Sequence, residues 1–352
     1  MSLLSNAPSS PSPADPRLAL LTEWLGTLNL VDLASLRPAS ADASFRRYFR
    51  ADVLAAQQAV LGATLIIMDA PPERENVLGF IKVDEMLTQA GVSVPRVIAT
   101  DYERGFMLLS DLGTTTYLQV LDHDNASTLY AEALEALVRF QLSSQPDVLP
   151  EYDRAFLLRE MNLFPEWFIG KHLGATLSEA QSAELQKVFE AILANVTAQQ
   201  QVYVHRDFHS RNLMWMDAGN PGVLDFQDAL YGPVTYDLAS LLRDAYVQWD
   251  EELVLDWAIR YWQHAKAAGL PVNKDIDAFY KDFEYMGLQR HLKILGLFCR
   301  LAYRDGKQQY LGDLPTVIDY VRKTANRYRD LKPLVRLLDA LEDKQPQVGY
   351  TF

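Results

Sequence analysis

The chain is 352 residues long, 49% hydrophobic and 22% charged, with a formal net charge of −13. It is long enough for two lobes of an ordinary soluble protein, and its acidity excludes non-specific nucleic-acid binding, which needs a basic surface. The single cysteine, Cys299, excludes an internal disulfide and a cysteine-rich zinc site, and it fits a reducing cytoplasm.

Residues 1–16 are rich in Ser, Pro and Ala and lack the charged region and apolar core of a signal peptide, so a disordered tail is expected. Pro16–Leu28 predicts an amphipathic helix, with Leu18, Leu21, Trp24 and Leu28 at helical spacing and Asp15-Pro16 as its start. Arg46–Val53 alternates in part, and Thr64–Met68 is β-rich and stops at Asp69-Ala70-Pro71-Pro72. The most apolar stretch, Val60–Met68, is too short to span a bilayer, so no membrane role is expected. Asn76–Ala90 predicts a helix ending at Gly91. Arg96–Thr100 and Phe106–Leu109 predict strands around the turn Glu103-Arg104-Gly105.

Ser110-Asp111-Leu112-Gly113 follows as the expected connector between lobes. Beyond it, Ala126–Gln141 carries Leu129, Ala133, Leu137 and Phe140 on one face, and Ser178-x-x-Gln181 is a capping box opening a helix to Gln199. A C-terminal helical group begins near Asp237. Within it, Asp282–Arg304 has an apolar stripe of Leu288, Leu292, Leu295, Cys299 and Ala302. Arg290, Lys293, Arg300 and Arg304 fall on another side, either as a solvated basic face or as a reader of an anionic acceptor.

The chemistry is carried by His205-Arg206-Asp207-Phe208-His209-Ser210-Arg211-Asn212-Leu213 and by Leu224-Asp225-Phe226. An Asp with an Asn five positions later, then a second Asp after a short strand, is the constellation of Mg-ATP phosphotransfer. Asp207 would face the acceptor hydroxyl, while Asn212 and Asp225 supply hard oxygen ligands for Mg²⁺. Eleven residues separate Asp225 from Asp237, too few for a peptide-docking activation segment, so the acceptor should be a small molecule.

On the phosphate side there is neither G-x-G-x-x-G nor G-x-x-x-x-G-K-[ST]. What remains is Asp42-Ala43-Ser44-Phe45-Arg46-Arg47-Tyr48-Phe49-Arg50. It is either a plain hairpin turn or one whose backbone, at Ser44 and Phe45, approaches phosphate oxygens. The strand Thr64–Asp69 has no lysine, and the first lysine of the chain is Lys82. Arg46, Arg47 and Arg50 are therefore the candidates to supply positive charge, by bidentate contact or else as a solvated strand face.

His205-x-Asp207-x-x-x-x-Asn212 with Leu224-Asp225-Phe226-Gln227-Asp228 and Tyr236-Asp237-Leu238-Ala239 resembles the aminoglycoside phosphotransferase and choline kinase superfamily, over residues 35–330. More narrowly, the Asp42–Arg50 turn, Met68-Asp69-Ala70-Pro71-Pro72, Leu109-Ser110-Asp111-Leu112-Gly113 and Leu288-Gln289-Arg290-His291-Leu292-Lys293 resemble bacterial N-acetylmuramate/N-acetylglucosamine anomeric kinases of cell-wall recycling. The missing lysine departs from the wider superfamily.

The resemblance implies an α+β, bilobal protein-kinase-like fold. A nucleotide-binding, β-rich N-lobe would span residues 17–110, and a larger helical C-lobe 111–352. It implies a cytoplasmic monomer that uses ATP and Mg²⁺ to phosphorylate the C1 hydroxyl of a free amino sugar to the α-1-phosphate. Asp207 would be the base, Asn212 and Asp225 the metal ligands, and Ser110, Asp111 and Leu112 the backbone that meets adenine. His209 would join Asp207 in facing the sugar, Gln227 and Asp228 would either face it too or form a turn, and Arg290, Lys293 or Arg300 would read the lactyl carboxylate of N-acetylmuramate. Two readings stay open beside it: a kinase of another alcohol such as an aminoglycoside, choline or homoserine, and a non-catalytic nucleotide-binding protein.

Overall fold

The computed structural model describes residues 15–40, 46–75 and 77–342. It has the expected α+β composition, in two units divided within a helix and at Asp111/Leu112. One comprises the chain up to Ile81 with Pro95–Asp111; the other comprises Lys82–Val94 and everything from Leu112.

The first unit opens with α1 (Pro16–Leu28), and Asp15 caps it by accepting from the Leu18 amide at 3.1 Å. The expected tail, residues 1–16, lies outside the described residues except for Asp15 and Pro16, which belong to the helix start. Then come β1 (Arg37–Ser40), β2 (Arg47–Asp52), the single turn α2 (Gln58–Leu61), β3 (Thr64–Asp69), α3 (Val77–Gln89), which belongs to the second unit from Lys82 on, β4 (Val97–Asp101) and β5 (Phe106–Ser110). The strands form one antiparallel sheet in the order β1-β2-β3-β5-β4. Alternation places Leu65, Ile67, Phe106 and Leu108 on one face, where they pack with Leu21 and Leu25 of α1. The β4–β5 turn depends on Gly105: its φ is 73°, and a Cβ there would fall 1.9 Å from the Ala70 carbonyl oxygen.

The second unit is helical: α4 (Tyr117–Val120), α5 (Ala126–Leu142), α6 (Arg154–Met161), a π-helix at Phe164–His172, and α7 (Glu179–Val196) with the expected Ser178–Gln181 capping box. Two small ribbons follow. β6 (Gln201–Val204) pairs with β9 (Leu230–Pro233), and β7 (Leu213–Met214) pairs with β8 (Gly222–Val223), both antiparallel. The chain ends in α8 (Tyr236–Leu242), α9 (Glu251–Ala267), α10 (Ile276–Tyr303), α11 (Leu314–Arg327) and α12 (Lys332–Glu342).

Helix α10 starts at Ile276, not at the expected Asp282, because Asp275 caps it through the Ala278 amide at 3.1 Å. Its apolar stripe is buried as expected, with Leu288, Leu292, Leu295 and Cys299 all at 0% exposure. The basic side is not a uniform solvated face, since Arg290 and Lys293 are buried as well. Only glycine fits at Gly296, where α10 meets the residue before the π-helix: a Cβ would lie 2.2 Å from the carbonyl carbon and oxygen of Leu163.

Candidate active site

The loop between β6 and β7 holds Asp207 and Asn212, and the loop between β8 and β9 holds Asp225. Each ribbon is too short to be stable alone. They are joined because the Leu224 amide donates to the Asn212 carbonyl at 2.9 Å, and the His205 Nε2 bonds the Leu224 carbonyl at 3.0 Å. The Asp207 amide meets the His205 Nδ1 at 3.2 Å. His205 thus binds both loops through its two ring nitrogens, a bracing role, and burial pushes its pKa down to about 4, so the ring is neutral.

Two carboxylates set the backbone of the Asp207 loop. Asp237, fully buried at the start of α8, accepts from the His205 amide at 2.6 Å and the Arg206 amide at 2.9 Å. Burial pushes Asp237 up to about 7, against the pull of those amides. Asp244, just past α8, accepts from the backbone amide of Ser210 at 3.0 Å and from its hydroxyl at 2.5 Å. Between these anchors Arg206 is held at φ 79°, and in the neighbouring loop Asp225 sits at φ 62°. Both are unfavourable for residues with a Cβ, and such strain persists only where surrounding contacts impose it.

Asn212 directs its amide nitrogen to the Asp207 carbonyl at 2.9 Å, which fixes the amide plane and leaves Oδ1 as the atom able to meet a cation. Asp225 accepts from the Gln227 Nε2 at 2.8 Å, and a carboxylate has lone pairs to spare beyond that bond. Two hard oxygen donors on adjoining loops fit a magnesium ion and would hold it by carboxylate and amide oxygens. Consistent with so open a site, no cluster of three or more His, Cys, Asp or Glu side chains able to cage a metal occurs among the described residues.

Asp207 is ringed by charge. Burial works to raise its pKa, but Lys293 above all, with Arg290 and Arg206, brings it down to about 2. Behind these cations stands Glu160 of α6, which pairs with Arg206 at 2.8 Å and Lys293 at 3.0 Å, and which also takes the Tyr152 hydroxyl. Lys293 further donates to the Tyr236 hydroxyl at 3.2 Å. Arg206 lies over the rings of Tyr152 and Phe156 at 5.7 and 5.3 Å. Sequence reasoning missed Glu160 and Asp244; an isolated acidic residue in a helix carries no signal of a partner 46 residues away.

Of the other acceptor-side candidates, His209 is buried with its Nδ1 lacking a partner among the described residues, and its ring meets Tyr246 edge-on at 5.3 Å. Gln227 stays beside Asp225, whereas Asp228 is exposed and offers only its carbonyl to Arg206 at 3.5 Å. Arg300 is set apart from this group: its electrostatic neighbours are Arg304, Asp305 and Glu166, and burial lowers its pKa.

In the first unit, Ser44 and Phe45 lie outside the described residues. The three arginines do not form one open cationic patch. Arg47 faces Asp69 across β2 and β3 and pairs with it and with Asp15. Arg50 is bidentate to Asp111 at 2.5 and 3.0 Å, and Arg46 lies 3.8 Å from Glu75. Ser110 spends its hydroxyl on the Arg96 amide at 2.8 Å, and Asp111 also takes the Thr64 hydroxyl at 2.7 Å. Leu112 begins the second unit.

The chain is similar to known proteins. Residues 35–270 match the model of the phosphotransferase enzyme family. An N-acetylmuramate/N-acetylglucosamine kinase of Neisseria meningitidis is 48% identical over 337 residues, covering 94% of this chain and 98% of that protein. One from Pseudomonas putida is 46% identical over 338 residues, covering 93% and 97%. Among solved structures, a choline kinase of Cryptosporidium parvum superposes with a TM-score of 0.59 at 10% identity, covering 92% of this chain and 99% of that one. A gentamicin-bound aminoglycoside phosphotransferase gives 0.57 at 14%, covering 87% and 97%. At such identities the likeness is one of fold, and it is the kinase-like fold expected.

Proposed function

The chain belongs to the phosphotransferase enzyme family, and from that premise we propose that it is an amino-sugar kinase that transfers the γ-phosphoryl group of ATP to the C1 hydroxyl of N-acetylmuramate and N-acetylglucosamine. The observation that carries the reading is near-full-length similarity to kinases so named, at 48% and 46% identity. The Asp207, Asn212 and Asp225 constellation supports it. A non-catalytic role is disfavoured because the loops keep strained backbone at Arg206 and Asp225. A cationic acceptor such as choline is disfavoured by Lys293, Arg290 and Arg206, all of which act electrostatically on Asp207.

In the proposed reaction O1 of the sugar attacks the γ-phosphorus, the O1–P bond forms and the bond from phosphorus to the β,γ-bridging oxygen breaks, releasing ADP. The proton of O1–H passes to a carboxylate oxygen of Asp207. With a pKa near 2, Asp207 is always ionised at neutral pH but is a weak base. Its work is to orient the hydroxyl and to receive the proton late, as the O1–P bond forms, which suits a loose phosphoryl transition state. Asn212 Oδ1 and Asp225 would hold Mg²⁺, which when bound neutralises the developing phosphate charge. Product in the α configuration, an entry into nucleotide-sugar synthesis within cell-wall recycling, and a cytoplasmic monomer complete the reading. No helix among the described residues is long and apolar enough to cross a membrane.

The test is a coupled ADP-release assay over N-acetylmuramate, N-acetylglucosamine, aminoglycosides and choline, with product NMR to locate the phosphate. Turnover of both amino sugars with phosphorus on C1 is expected. Turnover of an aminoglycoside or choline alone, or phosphate on C6, overturns the reading.

A further inference from the structure

Three cations of α10 were expected to serve either an anionic substrate or solvent, and the structure treats them differently. Lys293 is committed to Glu160 and Tyr236. Arg300 belongs to a separate group with Arg304, Asp305 and Glu166. Arg290 is only 4% exposed, and its Nη1 is fully buried with no hydrogen-bond partner among the described residues. Nor does Arg290 form an ion pair with any carboxylate among those residues, although its neighbours Arg206 and Lys293 both pair with Glu160.

A guanidinium largely removed from water, with a buried N–H unbonded and no carboxylate in ion-pair contact, is a costly arrangement. It is expected where an anion arrives with the ligand. Its place supports that expectation: the charge of Arg290 is felt at Asp207, which it helps to keep ionised, and at His209. The Nδ1 of His209 is a second buried polar atom without a partner among the described residues. Both atoms belong to side chains whose charges act on the carboxylate that would face the acceptor.

We propose that Arg290 binds the lactyl carboxylate of N-acetylmuramate and so sets the preference between the two amino sugars. The inference rests on the amino-sugar kinase reading. N-Acetylmuramate differs from N-acetylglucosamine by a lactyl ether on O3, which adds bulk and one carboxylate on the ring that also carries the reacting O1. With O1 at Asp207, that carboxylate is the anion that supplies the missing partner of the guanidinium, by a charge-assisted and potentially bidentate contact. N-Acetylglucosamine leaves Arg290 unpaired, so its binding draws nothing from this residue.

The experiment measures kcat/KM by ADP release for N-acetylmuramate, its methyl ester and N-acetylglucosamine, in the wild type, Arg290→Gln and Arg290→Lys. The ester keeps the bulk and removes the charge. In the wild type, N-acetylmuramate should exceed its ester by roughly 10-fold or more, a comparison that requires no variant to fold. In Arg290→Gln the ratio of N-acetylmuramate to N-acetylglucosamine should fall by roughly 10- to 100-fold, the loss of one charge-assisted hydrogen bond. Arg290→Lys should lie between. Residual N-acetylglucosamine turnover reports that the variants are folded, and a modest loss shared by both sugars is expected because Arg290 also helps to ionise Asp207.

A wild type that uses the ester as well as the acid overturns the proposal. So does an unchanged sugar ratio in both variants, which would leave Arg290 as a support of Asp207 alone. If the wild type phosphorylates neither sugar, the functional reading itself fails, and this inference with it.

Discussion

Asn212 donates its side-chain nitrogen to the backbone carbonyl of Asp207 at 2.9 Å, so the candidate metal ligand and the candidate base share one rigid loop. Neither can move without the other, which couples the position of the acceptor hydroxyl to that of the phosphates.

Asp207→Asn removes the group proposed to receive the acceptor proton, and it replaces a carboxylate held ionised by the cations around it. We expect kcat to fall by roughly 10²- to 10⁴-fold, the usual contribution of such a group. Mg-ATP affinity should be retained, as read by calorimetry on the variant. Near-normal turnover would take Asp207 out of the mechanism.

Asp225→Ala and Asn212→Ala each delete one candidate oxygen donor for the proposed metal. Activity should be lost or greatly reduced in both, and raised Mg²⁺ should restore part of it in Asn212→Ala, where the charged ligand survives. The recovery will stop short of wild type, because the 2.9 Å tie to Asp207 is lost as well. Full turnover of the wild type in EDTA would rule out a metal-dependent reaction.

His205 makes stability depend on pH. Its folded pKa is about 4 against an ordinary 6.5, so the unfolded chain binds the extra proton between those values. The contribution is fully present above pH 6.5 and is lost as pH falls toward 4; its size is on the order of 3 kcal/mol. Asp237, raised to about 7, acts in the opposite sense, losing its contribution as pH rises from 3.8 to 7. Comparing His205→Gln with the wild type isolates the histidine. Its deficit in melting temperature should be large at pH 7.5 and shrink steadily toward pH 4.5. A constant deficit would mean that only the lost hydrogen bonds matter.

Gly296→Ala reverses a common rule. Within a helix, alanine is ordinarily favoured over glycine by about 1 kcal/mol. Here the new methyl would meet the Leu163 carbonyl at 2.2 Å, so α10 must move away from the residue before the π-helix. We expect a net loss of roughly 2 kcal/mol or more, seen as a lower urea midpoint with little change in slope. A midpoint equal to or above wild type would show that the contact relaxes freely.

The sequence by itself determined the class and the chemistry. Helix α1 was legible to the residue because Asp15-Pro16 is a local start signal, and β3 and β5 because short runs rich in β-formers, such as Thr64–Met68, are bounded by turn sequences. The candidate catalytic and metal-binding residues stood out for a related reason. Asp207, Asn212 and Asp225 lie close together in the chain, on loops whose flanking apolar runs are themselves local features.

Only the tertiary structure decided which cation serves which partner. The spacing of Arg290, Lys293 and Arg300 on α10 is the same whether they face water, a protein carboxylate or a ligand. Glu160 arrives from α6 to take Lys293, while Arg290 is buried with no such partner among the described residues. Likewise, nothing in the sequence near Arg47 or Arg50 announces that Asp69 and Asp111 will pair with them. Periodicity reports the face on which a side chain lies. Burial and charge compensation depend on what another segment brings to that face, and that is settled only when the chain is packed.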